Sequence, residues 1–423
     1  MPAIPDADAR GASTVVIERL GSKGDGQVRI DGAWISVPRT LAGEEVRIAF
    51  DGDQARLLEI VTPSPDRMIP VCPHFDRCGS CSLQHLSDGP YRTFKQSLVI
   101  NALKSRGLEP HVEDTWVTPP GTRRRMSLAA RRTKAGVQLG FHSRRSHDIV
   151  DISTCPVASP EITRKLSALK ELAAPLAPLK GEMVLKVTAM PNGLDLHVTN
   201  TATFAAPHDV MMAGAKALAA GFLRVSIGDD VPLQQATPEI QVGKAFLRPA
   251  PGGFLQASPE AEAFMASLVR QHLKFALEVA DLFSGCGTFS LRLAEESRVH
   301  AAEGDAAAIE ALEASARAAP GLKPVTAEVR DLFRNPVPAV TLSRFQGIVL
   351  NPPRHGATKQ VSEIAHSGVR RVAYVSCDPG TLARDLRVLV DAGYRIMLVQ
   401  PVDQFLWSSH VETVVLLELG GAE

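Results

Sequence analysis

The chain has 423 residues, of which 45% are hydrophobic and 22% are charged, and its 46 basic and 46 acidic residues give a formal net charge of zero. This composition predicts a folded protein of two or three domains and excludes a highly charged, disordered chain. No apolar run approaches the roughly 18 residues that span a bilayer, and residues 1–8 lack a secretory leader. We therefore expect a cytoplasmic protein that does not enter a membrane.

The first predicted unit covers residues 10–62 and contains about five short, β-branched runs. Glycine turns such as Gly24-Asp25-Gly26 and Asp31-Gly32 separate the runs and tolerate a positive φ. Short strands at this spacing favour a small, closed, OB-like β-barrel, a shape that often binds oligonucleotides. A module that serves stability alone fits the same pattern. Pro63 and Pro65 then mark a linker.

The second predicted unit, residues 66–245, is an α+β domain that contains four of the six cysteines. Cys72, Cys78 and Cys81 have the spacing C-x5-C-x2-C, and Cys155 precedes Pro156. Three clustered thiols with a distant fourth are typical of a metal centre, and a cytosolic chain disfavours disulfides. Four thiolates suit either zinc or an iron–sulfur cluster, and the spacing alone leaves both open.

A basic stretch lies in the same unit, between residues 121 and 145. It contains eight Arg or Lys residues and no Asp or Glu: Arg123, Arg124, Arg125, Arg131, Arg132, Lys134, Arg144 and Arg145. On a neutral protein, a stretch of one sign is expected where a nucleic-acid backbone binds, although a solvated basic face gives the same pattern. Its position beside the clustered cysteines favours RNA.

The third predicted unit, residues 250–423, alternates apolar β-branched runs with helical segments. This pattern predicts an α/β domain with a doubly wound, Rossmann-like parallel sheet. The predicted strands are 279–283, 299–303, 324–329, 347–351 and 371–377, with helices at 306–318 and 379–391 and an antiparallel pair at 395–400 and 411–417.

A glycine loop follows the first of these strands. Gly285 and Gly287, in a D-x-F-x-G-x-G segment, let the backbone approach a nucleotide-like ligand, and the loop suits S-adenosylmethionine. Glu303 ends the next strand, where it can bind ribose hydroxyls, and Asp331 follows the third strand, within reach of an adenine. Helix capping is the alternative role for such acids, particularly Asp331.

Cys377 ends an apolar strand, at the edge where open α/β sheets place their chemistry. We expect the helix that begins near Pro379 to lower the pKa of this thiol, with Asp378 as the helix cap. Glu412 is an acid in an otherwise apolar strand and is the candidate base, unless it faces solvent on an alternating strand. The loop, Asn351-Pro352-Pro353-Arg354 and Cys377 together predict a methyltransferase with a covalent nucleophile.

Several motifs resemble those of the RNA uracil-C5 methyltransferases, over nearly the whole chain. They are Pro70–Phe75, Cys78–His85, Ile152–Pro156, Phe254–Gln256, Tyr374–Cys377 and His410–Thr413. The 23S rRNA members of this family carry an N-terminal TRAM domain and a [4Fe-4S] cluster, so the resemblance implies both, with rRNA as a more probable partner than tRNA. It further implies a donor site formed by Gln256, Phe283, Gly285, Gly287, Thr288, Glu303, Asp331 and Asn351. By the same resemblance Cys377 is the nucleophile, Glu412 is the base, and Cys72, Cys78, Cys81 and Cys155 hold the cluster.

Two positions depart from the family pattern. Asn351 stands where the family usually has Asp, and Ala257 follows Gln256 where the family tends to have Asn. Read alone, Asn-Pro-Pro is also the signature of enzymes that methylate exocyclic amines, although Arg354 replaces their aromatic residue. A non-catalytic RNA-binding or assembly factor is the third hypothesis. We expect a monomer.

Overall fold

The computed structural model describes residues 12–51, 54–178, 180–199 and 206–420. Residues 1–11, on which the expected absence of a leader rests, and the ends of the predicted ranges 10–62 and 250–423 lie outside the described residues. None of the helices in the described ranges is both long and apolar enough to cross a bilayer.

The N-terminal unit consists of two three-stranded antiparallel sheets, β1-β5-β6 and β2-β3-β4. Its strands are β1 (Ser13–Val16), β2 (Arg19–Leu20), β3 (Gly26–Ile30), β4 (Ala33–Val37), β5 (Glu45–Asp51) and β6 (Gln54–Thr62). The two sheets share one core, which includes Ile17, Val28 and Val46. The turn between β3 and β4 places Asp31 and Gly32 at φ of 49° and 83°, as the sequence predicts.

The middle unit is built on a seven-stranded sheet of order β10-β9-β8-β11-β12-β13-β14. After helix α1 (Asp88–Lys104) and strand β7 (Trp116–Val117), its strands are β8 (Arg125–Thr133), β9 (Gly136–His142), β10 (Ile149–Asp151), β11 (Met183–Met190), β12 (Gly193–Thr199), β13 (Arg224–Ile227) and β14 (Asp230–Gln234). Its helices are α2 (Pro160–Thr163), α3 (Leu166–Leu176) and α4 (Pro207–Ala219), and the short pair β15 (Ile240–Val242) and β16 (Ala245–Leu247) follows. Strands β11 and β12 form an antiparallel hairpin around Pro191-Asn192.

The C-terminal unit contains an eight-stranded sheet of order β19-β18-β17-β20-β21-β23-β22-β7. Its own strands are β17 (Glu278–Leu282), β18 (Arg298–Glu303), β19 (Val325–Val329), β20 (Gly347–Leu350), β21 (Arg371–Ser376), β22 (Tyr394–Asp403) and β23 (Glu412–Leu419). Its helices are α5 (Pro259–Leu273), α6 (Ser290–Leu293), α7 (Ala306–Ala318), α8 (Ala339–Leu342), α9 (Thr358–Ala365) and α10 (Pro379–Asp391). The five predicted parallel strands and the antiparallel pair at the end are confirmed.

Two elements from within the range 66–245 pack on this C-terminal sheet. Strand β7 extends its edge by pairing in parallel with β22, and α1 contributes Val99 and Leu103 to the core on one face. The predicted boundary at residue 250 therefore does not describe the whole of the sheet, because β7 and apolar side chains of α1 complete it.

A buried ion pair fixes α1 to the end of β22. Lys95 Nζ lies 2.8 Å from Asp403 Oδ1, and neither side chain is exposed. The hydroxyl of Tyr91 donates to the other carboxylate oxygen and accepts from the backbone N–H of Trp407 at 2.7 Å. Lys95 also donates to the carbonyl of His410, so a single helix holds both ends of the loop between β22 and β23.

We expect Lys95→Met to lower the free energy of unfolding by about 3 kcal/mol, because it leaves the Asp403 carboxylate buried without its cation. Urea denaturation followed by tryptophan fluorescence measures the loss. Lys104→Met is the matched control, since Lys104 is exposed at the end of the same helix. An equal loss of the free energy of unfolding in the two variants would contradict a stabilising role for the Lys95–Asp403 pair.

Candidate active site

A single cleft of about 870 Å³ opens at the carboxyl ends of the parallel strands, and most of the predicted donor-binding and catalytic residues line it. Its lining includes Gln256, Phe283, Gly285, Thr288, Glu303, Asp331, Asn351, Cys377 and Glu412. Of the predicted donor-binding and catalytic residues, Gly287 is the one that does not line it. A Cβ there would approach the Leu312 side chain to 2.4 Å, so Gly287 permits close packing of the loop on α7.

The glycine loop after β17 has an unusual backbone. Phe283 and Gly285 both have positive φ, of 59° and 54°. A bulky residue in this region is strained by about 1 kcal/mol or more, and such strain tends to occur at ligand sites. The N–H groups of Phe283 and Ser284 donate to the carbonyl of Ala302, which ties the loop to β18.

Glu303 connects this loop with the end of the neighbouring strand. Its Oε2 accepts from the N–H of Gly285 at 3.0 Å, and its Oε1 accepts from Gly304 and Asp305 at 2.7 and 3.0 Å. Asp305 caps α7, and Asp331 closes its own turn by accepting from Phe333 at 3.0 Å. Asp331 therefore caps a turn and not a helix, and its side chain borders the cleft.

Cys377 lies at the end of β21, half-buried in the cleft. Burial, with a further contribution from the charge of Glu412, raises the pKa of its thiol to about 11, and Arg354 opposes the shift. The pKa of Cys377 in the free protein is thus raised and not lowered as expected, because desolvation by burial is the largest contribution. Asp378 is the cap of α10, as predicted, and accepts from Thr381 at 2.9 Å.

Glu412 is buried at the start of β23, with a relative exposure of 4%. The alternative of a solvent-facing residue on an alternating strand is wrong, since β23 is buried on both faces over its first residues. Burial raises the pKa of Glu412 to about 7, and the hydrogen bond from Gln404 works against this shift. A carboxyl group with this pKa can gain or lose a proton at neutral pH.

The sequence analysis missed Gln404. Its Nε2 donates to Glu412 Oε2 at 2.8 Å and to Gln256 Oε1 at 2.7 Å, and its Oε1 accepts from the N–H of Ala257 at 2.9 Å. Gln404 therefore bridges the candidate base and a predicted donor-site residue. No motif marks it, and the one available signal is its position directly after Asp403, the last residue of β22.

The basic stretch is not one exposed face. Arg124 is buried, pairs with Glu262 and donates to the carbonyl of Gln256 at 2.9 Å. Arg144 pairs at 2.6 Å with Asp25 of the N-terminal unit. Others reach the cleft instead, among them Arg125, whose guanidinium lies 4.7 Å from the centre of the Phe254 ring. Part of the stretch thus holds the units together.

The four clustered cysteines come together as predicted. Cys72, Cys78, Cys81 and Cys155 line one small cavity. Burial raises the pKa of Cys81 to about 12, and the charges of the other three thiolates contribute to that increase. Among the described residues, no group of three or more His, Cys, Asp or Glu side chains is placed to hold a single metal ion.

Comparisons with known proteins agree with this geometry. Residues 246–419 match the family described as tRNA (Uracil-5-)-methyltransferase. The chain is 46% identical to an uncharacterized RNA methyltransferase of Brucella suis biovar 1, over 96% of this chain and 98% of that protein. It is 32% identical to the 23S rRNA (uracil(1939)-C(5))-methyltransferase RlmD of Chromohalobacter salexigens, over 97% and 90% of the two chains.

A solved structure shows the same fold. The tRNA (uracil-54, C5)-methyltransferase of Pyrococcus abyssi, in complex with S-adenosyl-L-homocysteine, superposes with a TM-score of 0.75 at 22% identity. The superposition covers 96% of this chain and 99% of that one.

We expect Glu412→Gln to accelerate alkylation of Cys377 by iodoacetamide at pH 8. Glu412 is ionised at this pH, so removing its negative charge lowers the pKa of the thiol, and each unit raises the thiolate fraction about tenfold. Mass spectrometry of the Cys377 peptide measures the rate. Glu418→Gln, on the same strand, is the control, and an unchanged rate in Glu412→Gln would refute the electrostatic link.

Proposed function

The chain belongs to the RNA uracil-C5 methyltransferase family, and we propose that it transfers a methyl group from S-adenosylmethionine to carbon 5 of a uridine in 23S rRNA. The observation that carries this proposal is the meeting of Cys377 and Glu412 in one cleft. A thiol and a buried carboxyl group that titrates near neutral pH are the two groups the reaction needs.

The proposed reaction begins at Cys377. Carbon 5 of uracil is a poor nucleophile, and addition of the thiolate to carbon 6 turns the ring into an enolate-like species. Carbon 5 then attacks the methyl group that S-adenosylmethionine would supply, and the bond from this methyl group to the sulfonium sulfur breaks to leave S-adenosylhomocysteine. Glu412 removes the proton from carbon 5, the electron pair of that bond restores the double bond, and the thiolate leaves. Gln404 positions Glu412 through the 2.8 Å hydrogen bond described above.

The raised pKa of Cys377 has a place in this proposal. In the free protein the thiol is protonated at neutral pH, so it is protected from adventitious alkylation and oxidation. The guanidinium of Arg354 already lowers this pKa, and a protonated Glu412 would no longer raise it. We infer that the thiol passes its proton to Glu412 when the substrate is bound, and that Glu412 releases this proton to solvent before it accepts the proton of carbon 5.

The methyl donor is proposed to bind along the glycine loop, Gln256 and the strand ends. Glu303 retains acceptor capacity for ribose hydroxyls, while Asp331 and Phe283 border the adenine end. Asn351 stands between the loop and Cys377, where its amide offers a donor and an acceptor but no charge. Relatedness to RlmD along almost the whole chain supports rRNA over tRNA as the substrate.

We also propose that Cys72, Cys78, Cys81 and Cys155 hold a [4Fe-4S] cluster. Their four thiols line one small cavity, and four thiolates are a common ligand set for such a cluster. Burial lowers the pKa of Arg123, and the charges of Cys155 and Cys81 oppose this shift, so its guanidinium is placed to offset the negative charge of a thiolate-bound cluster. When bound, the cluster would cross-link the loop at residues 72–81 to the segment before α2. A cytoplasmic location and a monomeric state stay predictions.

Tritium at carbon 5 of the uridines in a 23S rRNA transcript tests the reaction. We expect its release into water to match methyl transfer, and both to be lost in Cys377→Ala. In Glu412→Gln we expect a methylated protein–RNA adduct that survives denaturing electrophoresis, because elimination lacks its base. Glu418→Gln should behave like the wild type.

Methyl transfer with the tritium retained would overturn carbon 5 methylation and favour the exocyclic-amine reaction that the Asn351-Pro352-Pro353 segment suggests. Absence of both signals, together with no binding of S-adenosylmethionine in calorimetry, would favour a non-catalytic RNA-binding factor.

The cluster makes a separate prediction. After anaerobic reconstitution, we expect about four iron and four sulfide per chain, and a clear loss of both in Cys72→Ser and Cys155→Ser. Thermal unfolding should occur at lower temperature in these variants, because the cross-link is lost. Cys286→Ser is the control, since Cys286 is buried beside the glycine loop. Wild-type iron content in Cys155→Ser would exclude this set of ligands.

A further inference from the structure

Two side chains that carry N–H donors, Arg354 and His410, face each other at the mouth of the cleft. Arg354 Nη2 lies 3.5 Å from His410 Nε2. Arg354 follows β20 and His410 precedes β23, so two separate connections bring them together. Both residues are exposed, and Arg354 lines the cleft that contains Cys377.

The backbone on either side of this pair is held in place. The carbonyl of Arg354 accepts from the hydroxyl of Thr381 at 3.0 Å, and the next carbonyl, of His355, accepts from Arg384 at 3.0 Å. The carbonyl of His410 accepts from the buried ammonium of Lys95. The imidazole also meets the ring of Phe405 edge-on, with the ring centres 6.1 Å apart. The two groups are therefore positioned before any ligand binds.

The surroundings of the pair are short of negative charge. Within the described part of the chain, Arg354 forms no ion pair with a carboxylate, and its one side-chain partner is His410. Burial and the charges of Arg354, Lys95 and Arg123 lower the pKa of His410, and Asp378 alone opposes them. Asp378 is already engaged as the cap of α10, and Glu412 lies buried in the cleft.

We propose that Arg354 and His410 bind a backbone phosphate of the RNA, next to the nucleotide whose base enters the cleft; this inference rests on the proposed function. A guanidinium is a charged donor suited to phosphate oxygens, and the imidazole can add a neutral N–H donor beside it. A uridine that reaches Cys377 must leave its flanking phosphates at the mouth of the cleft, where this pair stands. Binding there would fix the nucleotide without reading its base.

The salt dependence of RNA binding tests this assignment. The probe is a fluorescein-labelled decauridylate, measured by anisotropy with full-length protein that carries Cys377→Ala, so that no adduct forms. We expect Arg354→Gln to weaken binding roughly tenfold at low salt. We also expect the slope of log K against log salt concentration to fall by about 0.7, the value for one phosphate contact on a single strand. His410→Gln should also reduce the affinity, and it should change the slope less than Arg354→Gln does.

Matched controls are Arg395→Gln, on the exposed face of β22, and His111→Gln, whose side chain is 83% exposed. An unchanged salt slope in Arg354→Gln would overturn the proposal even if affinity fell, because the lost contact would then be to a base. Loss of S-adenosylmethionine binding in calorimetry would also overturn it, by assigning the pair to the carboxylate of the donor. Tritium release by the wild type, measured separately, distinguishes failure of this site from failure of the proposed function.

Discussion

The architecture of the cleft depends on the buried contact between Lys95 and Asp403. Through Lys95 and Tyr91, helix α1 fixes the loop from Asp403 to His410, and this loop supplies Gln404 and Phe405 and leads into Glu412. Without that anchor, the loop would be a surface connection between two antiparallel strands. Removing both charges from water is costly, and the cost is offset because each carboxylate oxygen and the ammonium have further partners.

Burial also sets the chemical state of the cleft. It raises the pKa values of Cys377 and Glu412 together, so the free protein holds a neutral thiol beside a carboxyl group that is close to half-protonated at neutral pH. Two full negative charges in so dry a position would repel each other. Loss of a proton from one group therefore opposes loss of the proton from the other, and the two titrations are coupled.

The parallel strands, the glycine loop, Cys377 and Glu412 were predictable because each belongs to a local pattern of residues. Gln404 and Lys95 were not, because their roles arise from contacts with residues 148 and 308 positions away in the sequence. The sequence analysis counted Arg124 in a basic stretch that could bind RNA. Its charge is visible in the sequence, but its partner Glu262, which neutralises that charge, is 138 positions away. The direction of the pKa shift at Cys377 could not be predicted, because it depends on how deeply the thiol is buried, and no sequence motif encodes burial.

The long separation between α1 and its partner has a consequence for how the protein is made. Lys95 and Asp403 are 308 residues apart, so at 5–20 residues per second the ribosome needs roughly 15 to 60 s to deliver the second after the first. During that interval the C-terminal sheet is incomplete. Lys95 therefore lacks its carboxylate partner, and the apolar face of α1 is not fully covered. Glu412 is synthesised later still. A nascent chain can therefore contain the four clustered cysteines and Cys377 before it contains the candidate base.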